Sequence, residues 1–267
     1  MTPTVDDRRQ PIIELRGVCR TYGPSVAVRT VDLCVWPREF LVILGESGSG
    51  KTTLLKMINR LQRPDSGEVL IEGRPAADLV AHVLRRRIGY VFQRVGLFPH
   101  MTVQENIAIT PRLLGWDKAE VAQRVTELLA LVNLPVDLTG RYPASLSGGQ
   151  RQRVGVARAL AAKPSIVLMD EPFGALDAVT RDALGTEYRL LHDRMQLATV
   201  MVTHDVLEAL LLADRIVVMQ AGQIVASGTP REMMNAHSDT AIAKLMDMPR
   251  RQAARVAAML DEQSGPA

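Results

Sequence analysis

One eight-residue segment constrains the fold of this chain more than any other. Residues Gly45–Thr52 read GESGSGKT and match the pattern GxxxxGK[ST] in full. The segment follows a continuously apolar run, Phe40–Leu44 (FLVIL), which is typical of a strand buried on both faces. A helical pattern follows over Thr52–Leu61. A buried strand, a glycine-rich turn and a helix in this order are the context in which the pattern binds phosphate.

The residue types of this segment suit a phosphate anion. Glycine lets consecutive backbone N–H groups turn toward one anion, and the start of the helix adds its positive end. Lys51 would bring a positive charge to the β- and γ-phosphates, and the Thr52 hydroxyl would ligate Mg²⁺. The nucleotide-binding residues that we predict here are Gly45, Glu46, Ser47, Gly48, Ser49, Gly50, Lys51, Thr52 and Thr53.

A second segment fits the metal side of such a site. Ser165–Glu171 (SIVLMDE) is an apolar strand that ends in two carboxylates. We expect Asp170 to hold Mg²⁺ through water, and Glu171 to accept a proton from the attacking water. Alone, this pattern is common, and the alternative is a pair of capping carboxylates before Pro172. Together with a complete phosphate-binding loop it is specific.

Strands and helices alternate on both sides of a mainly helical segment. Residues from about 94 to 162 are predicted to be helical, with an apolar stripe in Asp117–Val132 and a second helix over Gly148–Ala162. Alternation around this insert predicts an α/β fold with a parallel sheet. The other predicted strands are Ile12–Leu15, Val26–Trp36, Gly67–Ile71, Arg87–Phe92, Ile166–Met169, Thr199–Val202 and Ile216–Met219, and the other predicted helices span 178–195 and 205–213.

Composition excludes several classes of protein. The net charge is only +3, and four Tyr, four Phe and two Trp form no visible stacking platform, so nucleic acid is not an expected partner. No run of about 18 apolar residues lacks a charge, and the N-terminus has no apolar signal core, which predicts neither a membrane span nor export. Cys19 and Cys34 are expected to be buried structural thiols in a reducing compartment.

A third segment predicts a second anion site. Leu146–Gln150 (LSGGQ) lies at the start of a predicted helix, where Ser147, two glycines and the helix N-terminus could face phosphate. The chain therefore carries two phosphate-facing surfaces but only one loop with Lys51. We expect a head-to-tail pair of chains, each of which completes the nucleotide site of the other. The NKxD motif that reads guanine is missing from the sequence, which disfavours a GTPase.

These motifs together resemble the ATP-binding cassette (ABC) ATPase family over about residues 12–230. The resemblance also rests on Gln93 in VFQRVGLFPHMT, on Gly174–Asp177 (GALD) and on His204 in VTHD, and Tyr22 lies where the family places an aromatic ring against adenine. It implies a P-loop NTPase fold with a RecA-like core, an antiparallel β subdomain and an inserted α-helical subdomain at about 94–162. It also implies ATP and Mg²⁺ as cofactors.

The resemblance implies roles for single residues. Gln93 would ligate Mg²⁺, sense the γ-phosphate and link both to the helical insert. His204 would contact the γ-phosphate and help Glu171 to organise the attacking water. Asp177 would shape the contact between two chains. The γ-phosphate held by the partner chain would be bound by Ser147 and Gly149, with Gly148 and Gln150 in the same segment.

One segment also resembles a subfamily. Gly96–Trp116 is similar to the osmoprotectant or quaternary-amine importers, which take up glycine betaine, choline or carnitine. The predicted function is the ATP-hydrolysing subunit of such an importer. Its expected partners are a second copy of the chain, transmembrane permease subunits docked on the helical insert and, indirectly, a substrate-binding protein. The expected location is the cytoplasmic face of the membrane.

Alternatives remain open at this level. The ATPase could serve an importer of another small solute such as an amino acid, or an exporter, or it could be a soluble ABC ATPase that acts on nucleic acid or ribosomes. Several members of the osmoprotectant subfamily carry a C-terminal pair of cystathionine-β-synthase-like modules, but only about 40 residues follow Gly228. We predict instead an N-terminal tail at 1–11, an ABC ATPase domain at 12–230 and a helical C-terminal tail at 231–267.

Overall fold

The structure, a computed structural model, describes residues 10–93, 95–235 and 251. The strands in these residues are β1 (Ile13–Tyr22), β2 (Ser25–Val35), β3 (Phe40–Leu44), β4 (Ser66–Ile71), β5 (Arg74–Pro75), β6 (Ile88–Val91), β7 (Ile166–Asp170), β8 (Ala198–Thr203), β9 (Arg215–Gln220) and β10 (Gln223–Gly228). The helices are α1 (Lys51–Ile58), α2 (Ala81–Arg87), α3 (Val103–Leu113), α4 (Lys118–Leu131), α5 (Gly148–Leu160), α6 (Ala178–Met195), α7 (Val206–Leu212) and α8 (Pro230–Asn235).

The larger sheet has six strands in the order β10-β9-β3-β8-β7-β6. Its neighbours pair in parallel except β10, which is antiparallel to β9. Every residue of β3, β7 and β8 is buried, as expected for parallel strands that are covered on both faces. The carboxyl ends of these three strands meet at one edge, where Gly45, Glu171 and His204 follow them directly. The predicted α/β class is confirmed.

The smaller sheet is antiparallel, in the order β2-β1-β4-β5, and it packs on one side of the larger sheet. Side chains of β3 alternate between two cores. Leu41 and Ile43 pack with α1 and the smaller sheet, whereas Phe40, Val42 and Leu44 pack with helices that lie on the opposite face. Because α1 is enclosed between the two sheets, the segment that precedes it is held firmly against the core.

Helices α3, α4 and α5 lie between β6 and β7, inside the range predicted for a helical subdomain. Each begins with a capping box, in which Thr102 pairs with Glu105, Asp117 with Glu120 and Ser147 with Gln150. Arg158 of α5 donates hydrogen bonds of 2.7 Å to the carbonyl oxygens of Val95 and Gly96. The segment that leaves the larger sheet after Gln93 is therefore fastened to α5.

Some boundaries differ from the sequence prediction. Strand β1 continues to Tyr22, well beyond the predicted Ile12–Leu15, because it pairs with β2 through several register shifts. Strand β10 and helix α2 were not predicted, since both are short and neither shows a clear apolar period. Helix α8 starts the predicted C-terminal tail. The rest of that tail, apart from residue 251, lies outside the described residues, as does most of the predicted tail at 1–11.

The expectation that both cysteines are buried is wrong. Cys19 and Cys34 are free thiols with intermediate exposure. Cys34 alternates with the buried Leu33 and Val35 on β2, so its side chain lies on the outer face of the smaller sheet. No helix in the described part of the chain is both long and apolar enough to cross a membrane.

A buried polar cluster joins α6 to the larger sheet. His192 is 1% exposed, and its Nδ1 lies 2.9 Å from the Thr199 hydroxyl, which also lies 3.0 Å from the Tyr188 hydroxyl. Burial lowers the pKa of His192, and the Arg189 guanidinium lowers it further, against the opposing charges of Asp214 and Asp193. The folded chain therefore favours the neutral imidazole.

This cluster predicts a pH-dependent stability. Because the pKa of His192 is lower in the folded chain than its ordinary value of 6.5, the unfolded chain binds the proton first as pH falls. The stability that the folded chain gains from a neutral His192 is present above pH 6.5. It is lost below that pH, by at most about 1.4 kcal/mol of unfolding free energy per pH unit. We expect the free energy of unfolding in urea to fall more steeply between pH 7.5 and 5.5 for the wild type than for His192→Gln. The exposed His82 supplies the control His82→Gln, which should follow the wild type; parallel curves for all three proteins would contradict the prediction.

Candidate nucleotide-binding site

The loop between β3 and α1 is possible only with glycine at its ends. A Cβ atom on Gly45 would lie 2.2 Å from the Met219 carbonyl oxygen, and one on Gly50 would lie 2.2 Å from the Ala27 carbonyl oxygen. Gly50 also has a φ of +101°, which larger residues rarely adopt. The backbone of the loop is thereby pressed against its neighbours in one conformation. Its exposed residues are Glu46, Ser47 and Gly48, its buried residues are Gly45 and Ser49, and the half-buried Thr52 and Thr53 lie in the first turn of α1.

Lys51 is held inside this loop. Its Nζ donates hydrogen bonds to the carbonyl oxygens of Gly45 at 2.8 Å and Glu46 at 2.7 Å, and to the Ser49 hydroxyl at 3.4 Å. Burial lowers the pKa of Lys51, although the charges of Glu171 and Asp170 oppose that effect. An ammonium group with these partners is fixed in position at the start of α1, and a phosphate oxygen could replace one of the loop carbonyls as its acceptor.

Thr52 and Asp170 form the part of the site that fits a metal ion. The Thr52 hydroxyl donates to Asp170 Oδ1 at 2.8 Å, and Asp170 is 6% exposed. A hydroxyl and a carboxylate are hard oxygen donors, and Mg²⁺ in nucleotide sites takes one or two such ligands besides phosphate and water. In the described residues no cluster of three or more His, Cys, Asp or Glu side chains forms a complete metal cage. The donor set therefore suits Mg²⁺ that arrives with a nucleotide.

Glu171 lies at the centre of the predicted catalytic group. Its Oε2 accepts a hydrogen bond from Gln93 Nε2 at 3.1 Å and lies 3.3 Å from His204 Nδ1. The backbone of Glu171 has a φ of +43°, and its N–H donates to the Val202 carbonyl oxygen at 2.9 Å. Such a φ is rare in a residue with a side chain and is found where surrounding structure imposes it, often at functional sites. The chain thus brings together three residues from the ends of three parallel strands.

The predicted second anion site lies on a different part of the chain. Ser147 Oγ accepts from the Gln150 N–H at 3.2 Å, and Gln150 Oε1 accepts from the Ser147 N–H at 2.9 Å. Ser147 and Gly148 are exposed. A Cβ on Gly149 would lie 3.0 Å from Thr180 Cγ2, so the start of α5 is close to α6. In the described residues no hydrogen bond links this segment to the loop around Lys51.

Within the described residues, neither Asp177 nor Tyr22 makes a side-chain hydrogen bond to Gln93, Glu171 or His204. Asp177 caps α6 by accepting from the Thr180 N–H at 3.0 Å, and this hydrogen bond lowers the pKa of the carboxyl. The neighbouring Val179 is 80% exposed. Tyr22 is 44% exposed at the end of β1, with the Arg20 guanidinium 4.9 Å from its ring centre. The roles of Asp177 and Tyr22 toward a nucleotide remain predictions.

One contact of the site was missed by sequence reasoning. The Tyr90 hydroxyl on β6 lies 3.5 Å from Asp170 Oδ2, on the carboxyl oxygen that Thr52 does not use. Burial raises the pKa of Tyr90, and the charge of Asp170 raises it further, so the phenol stays protonated. Because β6 pairs with β7 with Tyr90 opposite Leu168, this contact depends on a strand register that no local motif reveals.

The chain is similar in sequence to a known family and to several known proteins. The family described as ABC transporter matches residues 28–174. The choline transport ATP-binding protein OpuBA of Bacillus subtilis is 49% identical over 85% of this chain and 60% of its own length. The glycine betaine uptake system ATP-binding protein YehX of Escherichia coli is 49% identical over 84% of this chain and 72% of its own. The sulfate/thiosulfate import ATP-binding protein CysA of Caulobacter vibrioides is 50% identical over 84% of this chain and 66% of its own.

A solved structure has the same fold. The dimeric, post-hydrolysis state of the ATP-binding cassette MJ0796 with ADP and Pi is 34% identical, with a TM-score of 0.74 over 82% of this chain and 99% of that one. This chain spans about 60% of the length of the relative OpuBA.

Proposed function

Because the chain belongs to the ABC transporter family, we propose that it is the ATP-hydrolysing subunit of an importer for quaternary-amine osmoprotectants such as glycine betaine or choline. Hydrolysis is supported above all by one observation, the convergence of Gln93 and His204 on Glu171 Oε2 beside the pair Thr52 and Asp170. A phosphate-binding loop alone would serve many activities, whereas a carboxylate held in this way has the chemistry of a general base.

The site residues divide the chemical work. The loop N–H groups and Lys51 would bind the β- and γ-phosphates, and Thr52, Asp170 and Gln93 would hold Mg²⁺, which neutralises phosphate charge when it is bound. Among the described residues, the Gln93 amide donates to Glu171 at Oε2 and the His204 ring nitrogen also lies beside Oε2, so Oε1 is left to take the proton of the attacking water. The water oxygen then bonds to the γ-phosphorus as the bond to the ADP oxygen breaks.

A second copy of the chain would complete each site. Ser147, Gly148 and Gly149 are at or near the surface at the start of α5, where the helix N-terminus favours an anion. In the proposed pair, the γ-phosphate lies between Lys51 of one chain and Ser147 of the other. Hydrolysis removes the anion that the two chains share, so the closed pair loses its main attraction and opens. ATP and ADP thus shift the equilibrium between closed and open pairs because their affinities for the two forms differ. The related cassette MJ0796 has been solved as a dimer, which supports this arrangement.

The proposed permease would dock on the helical insert and the helix beside it. Val80 and Val83 of the α2 region and Leu113 and Leu114 at the end of α3 are exposed apolar residues. Arg86 donates to the Leu113 carbonyl oxygen at 3.1 Å and so joins these two groups into one surface. Exposed apolar patches of this kind are typical of interfaces. Because a partner of this kind spans the membrane, the location that we propose for the chain is the cytoplasmic face of the membrane, bound to its permease.

Sulfate is a second candidate solute, because CysA is as similar to this chain as OpuBA and YehX are. The segment Gly96–Trp116, with its likeness to osmoprotectant importers, favours the quaternary amine. The ATPase domain itself would not contact the solute, so only a measurement of transport can distinguish sulfate from a quaternary amine.

An uptake experiment tests the proposed function. The chain would be expressed with the permease and binding protein of its transporter, in cells that lack osmoprotectant uptake of their own. We expect energy-dependent accumulation of radiolabelled glycine betaine or choline, which a Lys51→Ala variant should lose. Accumulation of sulfate in place of the amines would overturn the proposed solute. Uptake that survives Lys51→Ala would overturn the role of this chain in supplying the energy.

A further inference from the structure

Arg181 on α6 connects two loops of the site. Its Nη2 donates to the Leu176 carbonyl oxygen at 3.0 Å, in the loop that precedes α6. Its Nη1 donates to Asp205 Oδ2 at 2.9 Å, in the loop that carries His204. Because the guanidinium is planar and rigid, these two contacts fix the distance between the loops.

Hydrogen bonds to α7 hold the loop around His204 in place on both sides of the histidine. The Thr203 hydroxyl donates to Glu208 Oε2 at 2.6 Å and accepts from the Asp205 N–H at 3.0 Å. Asp205 Oδ1 caps α7 by accepting from the N–H groups of Leu207 and Glu208. The residues on both sides of His204 are therefore bound to α7, and Asp205 is the point at which Arg181 attaches this unit to α6.

Among the described residues, one N–H group of Arg181 has no hydrogen-bond acceptor. Its Nε is buried without a hydrogen bond and lies 3.8 Å from Glu208 Oε1, about 0.6 Å beyond hydrogen-bond distance. Burial raises the pKa of Glu208, while the nearby Arg181 charge opposes that effect. A small approach of α7 to α6 would complete the contact, which gives the two loops a defined way to tighten together.

We propose that Arg181 is a positioning residue for ATP hydrolysis, which keeps the His204 imidazole at Glu171 by tying its loop to the loop before α6. The inference rests on the proposed ATPase function. The loop before α6 ends at Asp177, on the surface proposed to meet the second chain. A shift of that surface would thus reach His204 through a single side chain. The contacts of Lys51 and its loop with a nucleotide do not depend on this link, because Arg181 contacts neither Lys51 nor that loop.

Arg189 provides a matched control on the same helix. It donates to the Leu212 carbonyl oxygen at 2.8 Å and pairs with Asp214 at 2.9 Å, so it also braces α6 against α7. It does so at the far end of α7, away from His204. Replacing either arginine with methionine removes one brace of similar kind, and only Arg181→Met releases the His204 loop.

The test combines steady-state kinetics with NMR of the purified wild type, Arg181→Met, Arg181→Lys and Arg189→Met. We expect kcat for ATP hydrolysis to fall about 10- to 100-fold in Arg181→Met with KM for ATP nearly unchanged, because a misplaced group slows the chemical step without weakening binding. Arg181→Lys should recover part of kcat, since one ammonium cannot hold both acceptors. Arg189→Met should keep kcat near that of the wild type, although both methionine variants should melt at similar temperatures.

The imidazole signal of His204, assigned from a His204→Ala sample labelled with ¹⁵N-histidine, supplies a readout that does not depend on turnover. We expect this signal to shift or broaden in Arg181→Met and to stay unchanged in Arg189→Met. The inference is overturned if kcat is unaffected, if both arginine variants lower kcat equally, or if the His204 signal does not respond. A wild type that does not hydrolyse ATP would instead overturn the proposed function, and the NMR comparison would still report on the brace.

Discussion

A Glu171→Gln variant is expected to bind ATP almost as tightly as the wild type and to hydrolyse it about 10²- to 10⁴-fold more slowly. The substitution keeps the shape of the side chain beside Gln93 and His204 but removes the group that can accept a proton. The phosphate-binding contacts of Lys51 and the loop are untouched. Release of inorganic phosphate at saturating MgATP measures the loss, and titration with a fluorescent ATP analogue measures binding.

The same variant should accumulate as a pair of chains. If the γ-phosphate joins Lys51 of one chain to Ser147 of the other, a site that cannot cleave it stays closed. Light scattering should therefore show dimers of Glu171→Gln with MgATP and fewer dimers with MgADP. The control is Glu14→Gln, which removes a carboxylate that pairs with Arg16 on the smaller sheet. Turnover of Glu171→Gln close to that of the wild type would show that another group is the base.

The central strands of the larger sheet could be predicted because each is encoded by a short continuous stretch of sequence. The run FLVIL of β3 and the run IVLM that precedes Asp170 in β7 are continuously apolar, as is typical of strands covered on both faces. The family resemblance, not the strand pattern, implied that Gln93 and His204 act at the same site as Glu171. In the structure the three residues lie together because they follow parallel strands that end at the same edge. The apolar runs therefore predicted the buried strands, and the family motifs identified the residues that follow them.

Contacts that depend on how separate elements pack could not be predicted. The hydrogen bonds of Arg181 join residues five and 24 positions away, and no motif marks an arginine one turn into a helix. The exposure of Cys34 follows from which face of the smaller sheet is covered, which the pattern of β2 alone does not state. The left-handed backbone of Glu171 likewise follows from its hydrogen bond to β8, a tertiary contact.

Lys51→Ala and Ser147→Arg are each expected to abolish nearly all hydrolysis, yet a mixture of the two should recover activity. Lys51→Ala removes the cation that the phosphate-binding loop encloses. Ser147→Arg places a long side chain at an exposed position where the partner's phosphate would lie, and it also breaks the capping box of α5. In a head-to-tail pair, a mixed dimer has one site with both defects and one site with neither.

Random pairing of equal amounts makes half of the dimers mixed, so about a quarter of all sites are intact. We expect phosphate release to rise toward that fraction if one intact site can turn over alone, measured after both variants are mixed in the presence of MgATP. Asp117→Arg controls for helix capping, because it destroys the capping box of α4 and costs about 1 kcal/mol of helix stability without altering the proposed interface. If each site were built within one chain, every molecule in the mixture would carry a defective site and activity would stay at the level of the separate variants. Recovery therefore distinguishes a shared pocket from an internal one, independently of which solute the transporter carries.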